Sequence, residues 1–162
     1  MQVTGCLNID KIAHEKLELR SIATMRQAST ILEFETPGRG FLDITQEVND
    51  WLWAARIHEG LLNLLCRHTS ASLLIQENAA PAVRHDLGEW LDRLAPENAG
   101  YMHDDEGPDD MPAHLRASLT GVTLSIPVIQ GRMALGTWQG IFLAEHRRIP
   151  HRRQVAVHVL GE

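Results

Sequence analysis

A chain of 162 residues, 44% hydrophobic and 22% charged, is long enough to build one domain around a sizeable core. A formal charge of -6 argues against a broad basic face for nucleic acid, and no run approaches the ~18 apolar residues of a membrane-spanning helix. The N-terminus lacks a basic-then-apolar leader pattern, and Cys6 and Cys66 need not pair, so a reducing, cytoplasmic setting is the economical expectation.

Residues 1–25 mix charged and apolar groups without a sustained period, which predicts an N-terminal extension with at most a short helix over 10–22. The remaining residues, 26–162, read as one domain. Ser29 to Glu35 predicts a half-buried strand ended by Pro37-Gly38-Arg39-Gly40. Phe41 to Ile44 leads into a helix with Thr45 as N-cap, an apolar face of Ile44, Val48, Trp51, Leu52 and Ala55, and Gly60 as the stop. Leu61 to His68 is too apolar for an exposed strand and belongs inside a sheet; after a hydroxyl-rich Thr69-Ser70-Ala71-Ser72, Leu73 to Ile75 resumes a strand. Asn78 and Pro81 open a second helix with a stripe of Val83, Leu87, Trp90, Leu91 and Leu94. Asp86 falls in that stripe, and a carboxylate on a buried face is costly unless paired or coordinated.

The stretch from Tyr101 to His114 packs five carboxylates between His103 and His114 with no Lys or Arg among them. Gly107-Pro108 predicts a turn, and Pro112 marks a short helix carrying His114 near its first turn. Neutral imidazole with carboxylate suits a divalent metal, magnesium or zinc, although the spacing matches no standard zinc pattern; the plain alternative is a solvated acidic loop. Three further strands are predicted over Val122–Val128, Ala134–Glu145 and Gln154–Leu160, with Pro127 at an edge, a bulge or a strand end. Between the last two lies a basic cluster containing Arg147, Arg148, Arg152 and Arg153. It is either a solvated hairpin loop or a set of guanidinium forks for phosphate or carboxylate. Strands and two long helices without a βαβ rhythm predict an α+β two-layer domain, a mixed or antiparallel sheet packed by the helices.

His68 and Ser70, two apart on an extended segment, share a face, but no nucleophile elbow surrounds Ser70. There is no phosphate-binding glycine loop, dinucleotide fingerprint or HExxH helix. His68, Asp86, His103, His114 and Glu145 are left as the groups able to do chemistry. Trp138 is either core or a platform for a heteroaromatic ring.

The ordered series His68-Thr69-Ser70-Ala71-Ser72, Gln76-Glu77-Asn78, Arg84-His85-Asp86, the Tyr101–His114 stretch, Gly136-Thr137-Trp138-Gln139-Gly140-Ile141 and Glu145-His146-Arg147 resembles the YjbQ family over roughly residues 26–162. Many relatives carry an acidic-glycine turn after the glutamate, where this chain has His146-Arg147-Arg148. The resemblance implies a compact α+β domain assembling as a homotrimer. It also implies a secondary thiamine-phosphate synthase activity that joins a pyrimidine diphosphate to a thiazole phosphate with release of pyrophosphate, and leaves the physiological substrate open. Carried onto this chain, it implies a site of His68, Ser70, Asp86, His103, His114, Gln139 and Glu145. With it go His68, Ser70, Asp86 and Glu145 as catalytic groups, Trp138, Gln139, Arg147 and Arg148 as contacts to a small phosphorylated metabolite, and His103 and His114 as metal ligands. Two other expectations compete: a regulatory module that binds a metal or phosphorylated metabolite without turnover, and a metal-dependent hydrolase of a small phosphorylated substrate.

Overall fold

The computed structural model describes residues 24–162, so the predicted helix over 10–22 lies outside the described residues. The elements run β1 (Arg26–Thr36), β2 (Gly40–Asp43), α1 (Thr45–Ala55), β3 (Gly60–Cys66), β4 (Ala71–Glu77), α2 (Pro81–Leu94), α3 (Asp110–Thr120), β5 (Thr123–Ile129), β6 (Arg132–Met133), β7 (Gln139–Glu145) and β8 (His151–Gly161). The α+β class stands, and every strand pairing is antiparallel. The strands are shared between two sheets, β1-β8-β3-β5-β6 and β2-β7-β4.

Alternation explains the first sheet. Along β8, Val155, Val157 and Val159 are buried while Gln154, Ala156 and His158 are only partly covered. Those valines meet Leu62 and Leu64 of β3, Ile126 and Val128 of β5, Val48 and Leu52 of α1, and Leu73, Ile141 and Leu143 of the second sheet in one core. Each fully buried side chain of this size contributes roughly 1.5–3 kcal/mol. The opposite face of the five-stranded sheet is left open by the described residues and presents Ile31, Leu61, Leu65 and Leu160, each at least 40% exposed. Strand β7, in contrast, is buried on both faces from Gly140 to Glu145, because the core lies on one side while α2 packs on β2 and α3 on β4. The two helices thus add an outer layer. Pro127, which has no N–H to donate, sits just before the β5 residues that pair with the two-residue β6, and its carbonyl accepts the Ala134 N–H at 2.8 Å.

Helix α1 begins where the Asp43 carboxylate accepts the Thr45 N–H at 2.9 Å. Thr45, the expected cap, is instead the first helical residue, and its Oγ1 accepts the Ile141 N–H at 2.8 Å, tying the helix to β7. Arg56, left-handed at φ 52°, ends the helix. Gly60 opens β3 instead, at a position where a Cβ would lie 2.3 Å from the Leu160 carbonyl oxygen. Helix α2 departs furthest from expectation. Of its apolar stripe only Leu91 is fully buried, and Trp90 and Leu94 are nearly half exposed. Asp86, expected on a buried face, has a side chain 80% exposed and among the described residues meets only His85. The stripe is wider than the line of contact that the described residues offer it.

Candidate functional site

The acidic stretch divides in two. Asp104, Asp105 and Glu106 are exposed, as a solvated loop would be, whereas Asp109 and Asp110 at the start of α3 are buried. Two neighbouring buried carboxylates need cations, and the hairpin after β7 folds back to supply one. Arg147 donates from Nε to Asp109 Oδ2 at 3.2 Å, pairs with Asp110 Oδ1, and donates from Nη2 to the Glu106 carbonyl at 2.7 Å. The Arg148 N–H also donates to Asp109 Oδ2, at 2.8 Å. Burial works to raise the Asp109 carboxyl, but these donors outweigh it and hold the group below its usual range. The carboxylates also sit at the positive end of the helix dipole.

Asp110 Oδ2 is left over. It is buried and has no hydrogen-bond partner among the described residues. His103 Nε2 lies 2.7 Å from it and His114 Nε2 3.5 Å. The His103 contact is short, yet it lacks the alignment of an N–H donor with its acceptor, so proximity does not satisfy the oxygen. Asp110 and His114, four apart, share one face of α3, and the loop brings His103 over them with its ring centroid 5.5 Å from that of His114. His114 Nδ1 lies 2.9 Å from the Thr69 carbonyl oxygen. A carbonyl only accepts, so the proton is on Nδ1 and the Nε2 lone pair faces Asp110. One ligand atom from each of His103, Asp110 and His114 falls within 4.8 Å of the others. A metal ion placed there would satisfy the orphaned oxygen and both imidazoles. This donor set suits zinc or another transition metal better than magnesium, which prefers oxygen ligands.

Beside this cluster a groove of about 620 Å³ is lined by Arg67, His68, Thr69, His114 and Ser118 among others. His68 therefore adjoins the His103–Asp110–His114 cluster. Its Nε2 accepts the Gln154 N–H at 2.8 Å, which leaves Nδ1–H as its free end. Burial, reinforced by Arg153, lowers its pKa and favours the neutral ring. A neutral imidazole with its lone pair engaged donates a hydrogen bond; it does not abstract a proton.

Ser70 does not pair with His68. Arg153 Nη2 donates to its Oγ at 3.1 Å and to Glu145 Oε1 at 2.6 Å. Glu145, 2% exposed, also receives Arg153 Nε and Thr36 Oγ1 on Oε2, at 2.6 and 2.8 Å, and the Arg147 N–H on Oε1 at 2.9 Å. Burial raises its pKa, but Arg153, the Arg147 N–H and Thr36 more than reverse that and keep it anionic. A carboxylate clasped in this way is a structural anchor, which corrects its expected role in moving protons.

The expected phosphate contacts are also engaged. Arg147 is committed to the two aspartates, Arg148 pairs with Glu97, Arg152 with Glu33 and Arg153 with Glu145. Trp138 and Gln139 stand at the opposite end of β7 from Glu145, in register with Glu77 rather than Ala71. Trp138 is 65% exposed, and Gln139 Oε1 accepts the Gly136 N–H at 2.7 Å. One copy of the chain thus brings together His68, Ser70, His103, His114, Glu145 and Arg147, but leaves Trp138, Gln139 and Asp86 apart.

Sequence reasoning missed Asp110 as the third member of the cluster. Its i, i+4 relation to His114 on a helix opened around Pro112 was a readable signal. It also missed a buried serine–histidine contact, Ser72 Oγ to His146 Nε2 at 2.7 Å, whose partners lie 74 residues apart and leave no local trace.

Comparison with known proteins places this arrangement among relatives. The UPF0047 protein YjbQ-like family matches residues 30–162. A UPF0047 protein of Synechocystis is 46% identical over 145 residues, covering 89% of this chain and 99% of that protein. The UPF0047 protein YjbQ of Escherichia coli O157:H7 is 45% identical, covering 81% and 96%. Among solved structures, a conserved hypothetical protein of Thermus thermophilus is 41% identical with a TM-score of 0.68, covering 79% of this chain and 97% of that one. A YbjQ-like protein of unknown function from Sulfolobus solfataricus, 23% identical, shares the fold with a TM-score of 0.76 over 85% of this chain and 100% of that one. With this fold, and with the matched segment running through the acidic stretch, α3 and the final hairpin, the chain belongs to the YjbQ (UPF0047) family.

Proposed function

We propose that this chain is a metal-assisted enzyme acting on a small phosphorylated metabolite in the groove beside His103, Asp110 and His114. The reaction implied by its family resemblance, union of a pyrimidine diphosphate with a thiazole phosphate and release of pyrophosphate, is the activity to test first. The observation that carries the reading is Asp110 Oδ2, a buried carboxylate oxygen without a hydrogen bond, facing two imidazole nitrogens. Leaving such an oxygen unpaired costs several kcal/mol by desolvation alone, on the order of 1–3 or more, so its persistence supports a bound cation. A divalent ion held by these residues would stabilise the negative charge that builds on a departing phosphate oxygen. In this reading Arg147 and the Thr69 carbonyl orient the ligands, and His68 Nδ1–H donates to a substrate oxygen across the groove. The site is cytoplasmic, and neither nucleic acid nor membrane takes part. No helix among the described residues is long and apolar enough to cross a membrane.

The assembly belongs to the same proposal. The sheet face that the described residues leave open and the half-exposed Trp90 and Leu94 of α2 support self-association, and the resemblance implies a homotrimer.

A second reading is favoured by one observation: Glu145 is saturated and the His68 lone pair is engaged, so neither expected proton carrier is free. That supports a metal-dependent hydrolase, or a binding module without turnover, over acid–base catalysis by these side chains. The test is formation of thiamine phosphate from the two precursors by the purified chain, with zinc, manganese or magnesium and with chelator, against His103→Ala and Asp110→Asn. Metal-dependent turnover lost in both variants supports the synthase reading. Bound metal falling at least tenfold in both variants without any turnover supports the binder, and unchanged metal content in both rejects the metal centre.

A further inference from the structure

On the far side of α3 lies a second cavity. Asp110 and His114 share one helix face, while Arg116, two residues beyond His114, points some 200° around the axis by the ordinary 3.6-residue turn. There a cavity of about 280 Å³ between β2, α2 and α3 is lined by Arg39, Arg84 and Arg116, by His85 and His146, and by Glu89 and Asp92 among others. Arg116 is 2% exposed. Its Nη2 donates to the Ala95 carbonyl at 2.9 Å and meets Asp92 Oδ1 at 3.0 Å, but that aspartate is half exposed and is shared with Arg39. The Arg116 Nε has no partner among the described residues. Arg84, in contrast, has no carboxylate partner among the described residues. Its guanidinium lies 5.5 Å from the centre of the Phe142 ring, and its one hydrogen bond is a long one, 3.4 Å, to the Asn78 carbonyl.

Arg116 shares its one close carboxylate, Asp92, with Arg39, and Arg84 beside it has none among the described residues, which leaves these guanidinium groups room for a further anion. Gly88 keeps the space open: a Cβ there would make only ordinary contact, 3.9 Å from the Phe41 ring. His146, kept neutral by burial and by Arg116, and spent on Ser72 at one ring nitrogen, adds a polar wall without charge. Planar forks of N–H donors match phosphate oxygens in pairs, and the volume lies near the small end of the ~300–1,000 Å³ typical of ligand pockets, which fits a phosphate monoester and excludes a bulky ligand.

We propose that the cavity between α2 and α3 is a phosphate-binding site, with Arg84 and Arg116 as its ligands, separate from the His103–Asp110–His114 cluster and independent of any metal there. The test is calorimetric titration of the chelator-treated full chain with inorganic phosphate and with phenyl phosphate. Arg84→Gln, which removes a partly exposed side chain and leaves the core intact, is expected to weaken binding about tenfold. Gly88→Leu is expected to abolish binding by filling the cavity, with Tm measured alongside to exclude unfolding. His103→Ala is expected to leave phosphate affinity unchanged, so this site stands or falls separately from the metal centre. Absence of phosphate binding in the chelated protein overturns the proposal. So does unchanged affinity in both Arg84→Gln and Gly88→Leu, or loss of affinity in His103→Ala alone.

Discussion

Asp110 and Glu145 are both carboxylates at 2% exposure, and they lie on either side of Arg147, yet they do opposite things. Every oxygen of Glu145 is met by two donors, and the group locks β1, β7 and β8 together through Thr36 and Arg153. Asp110 has one oxygen paired with Arg147 and the other facing two imidazoles without a hydrogen bond. Burial therefore does not mark a site; unspent coordination does.

The comparison breaks most visibly at Glu145. Glu145→Gln keeps the shape but leaves the Arg153 charge buried without its counterion, and should cost about 3–5 kcal/mol in denaturant unfolding. A loss below about 1 kcal/mol would mean that the clasp is not structural. Acid titration separates the two regions next. Burial, with Arg116 behind it, lowers His146 from 6.5 to about 4. Between those values the unfolded chain takes up a proton that the folded chain refuses, so stability should fall as pH drops from 6.5 toward 4, by up to about 3 kcal/mol. The depressed Glu145 contributes fully above its ordinary 4.5 and is lost only as pH falls through its lower folded value. His146→Gln should flatten the upper part of the unfolding profile and leave the lower part. The smallest effect belongs to Asp110→Asn. Asp109 still holds Arg147, so unfolding should shift by about 1 kcal/mol or less even though metal content drops. A loss comparable to that of Glu145→Gln would make Asp110 a second anchor rather than a ligand.

Much of this was legible from local pattern. The period-two runs located the strands, Pro81 and Pro112 located helix starts, and His103 and His114 stood out because few other neutral ligands flank so many acids. What stayed hidden depends on distance along the chain. Arg147 meets Asp109 across 38 residues and Arg148 meets Glu97 across 51, so four arginines in one short stretch look free until the fold assigns each an acid. Asp86 shows the other limit. Helical period reports that a face is apolar, not what covers it, and among the described residues nothing covers that part of α2.

Strand order has a bearing on how the protein is made. β8 lies between β1 and β3, so Thr36 meets His151 only after 115 further residues have been synthesised. A ribosome therefore releases the early strands, with Ile31, Leu32 and Phe34 among them, well before the strand that joins them exists. Contacts so remote are expected to make folding slow and largely post-translational, with the nascent chain dependent on protection from its neighbours until the final hairpin emerges.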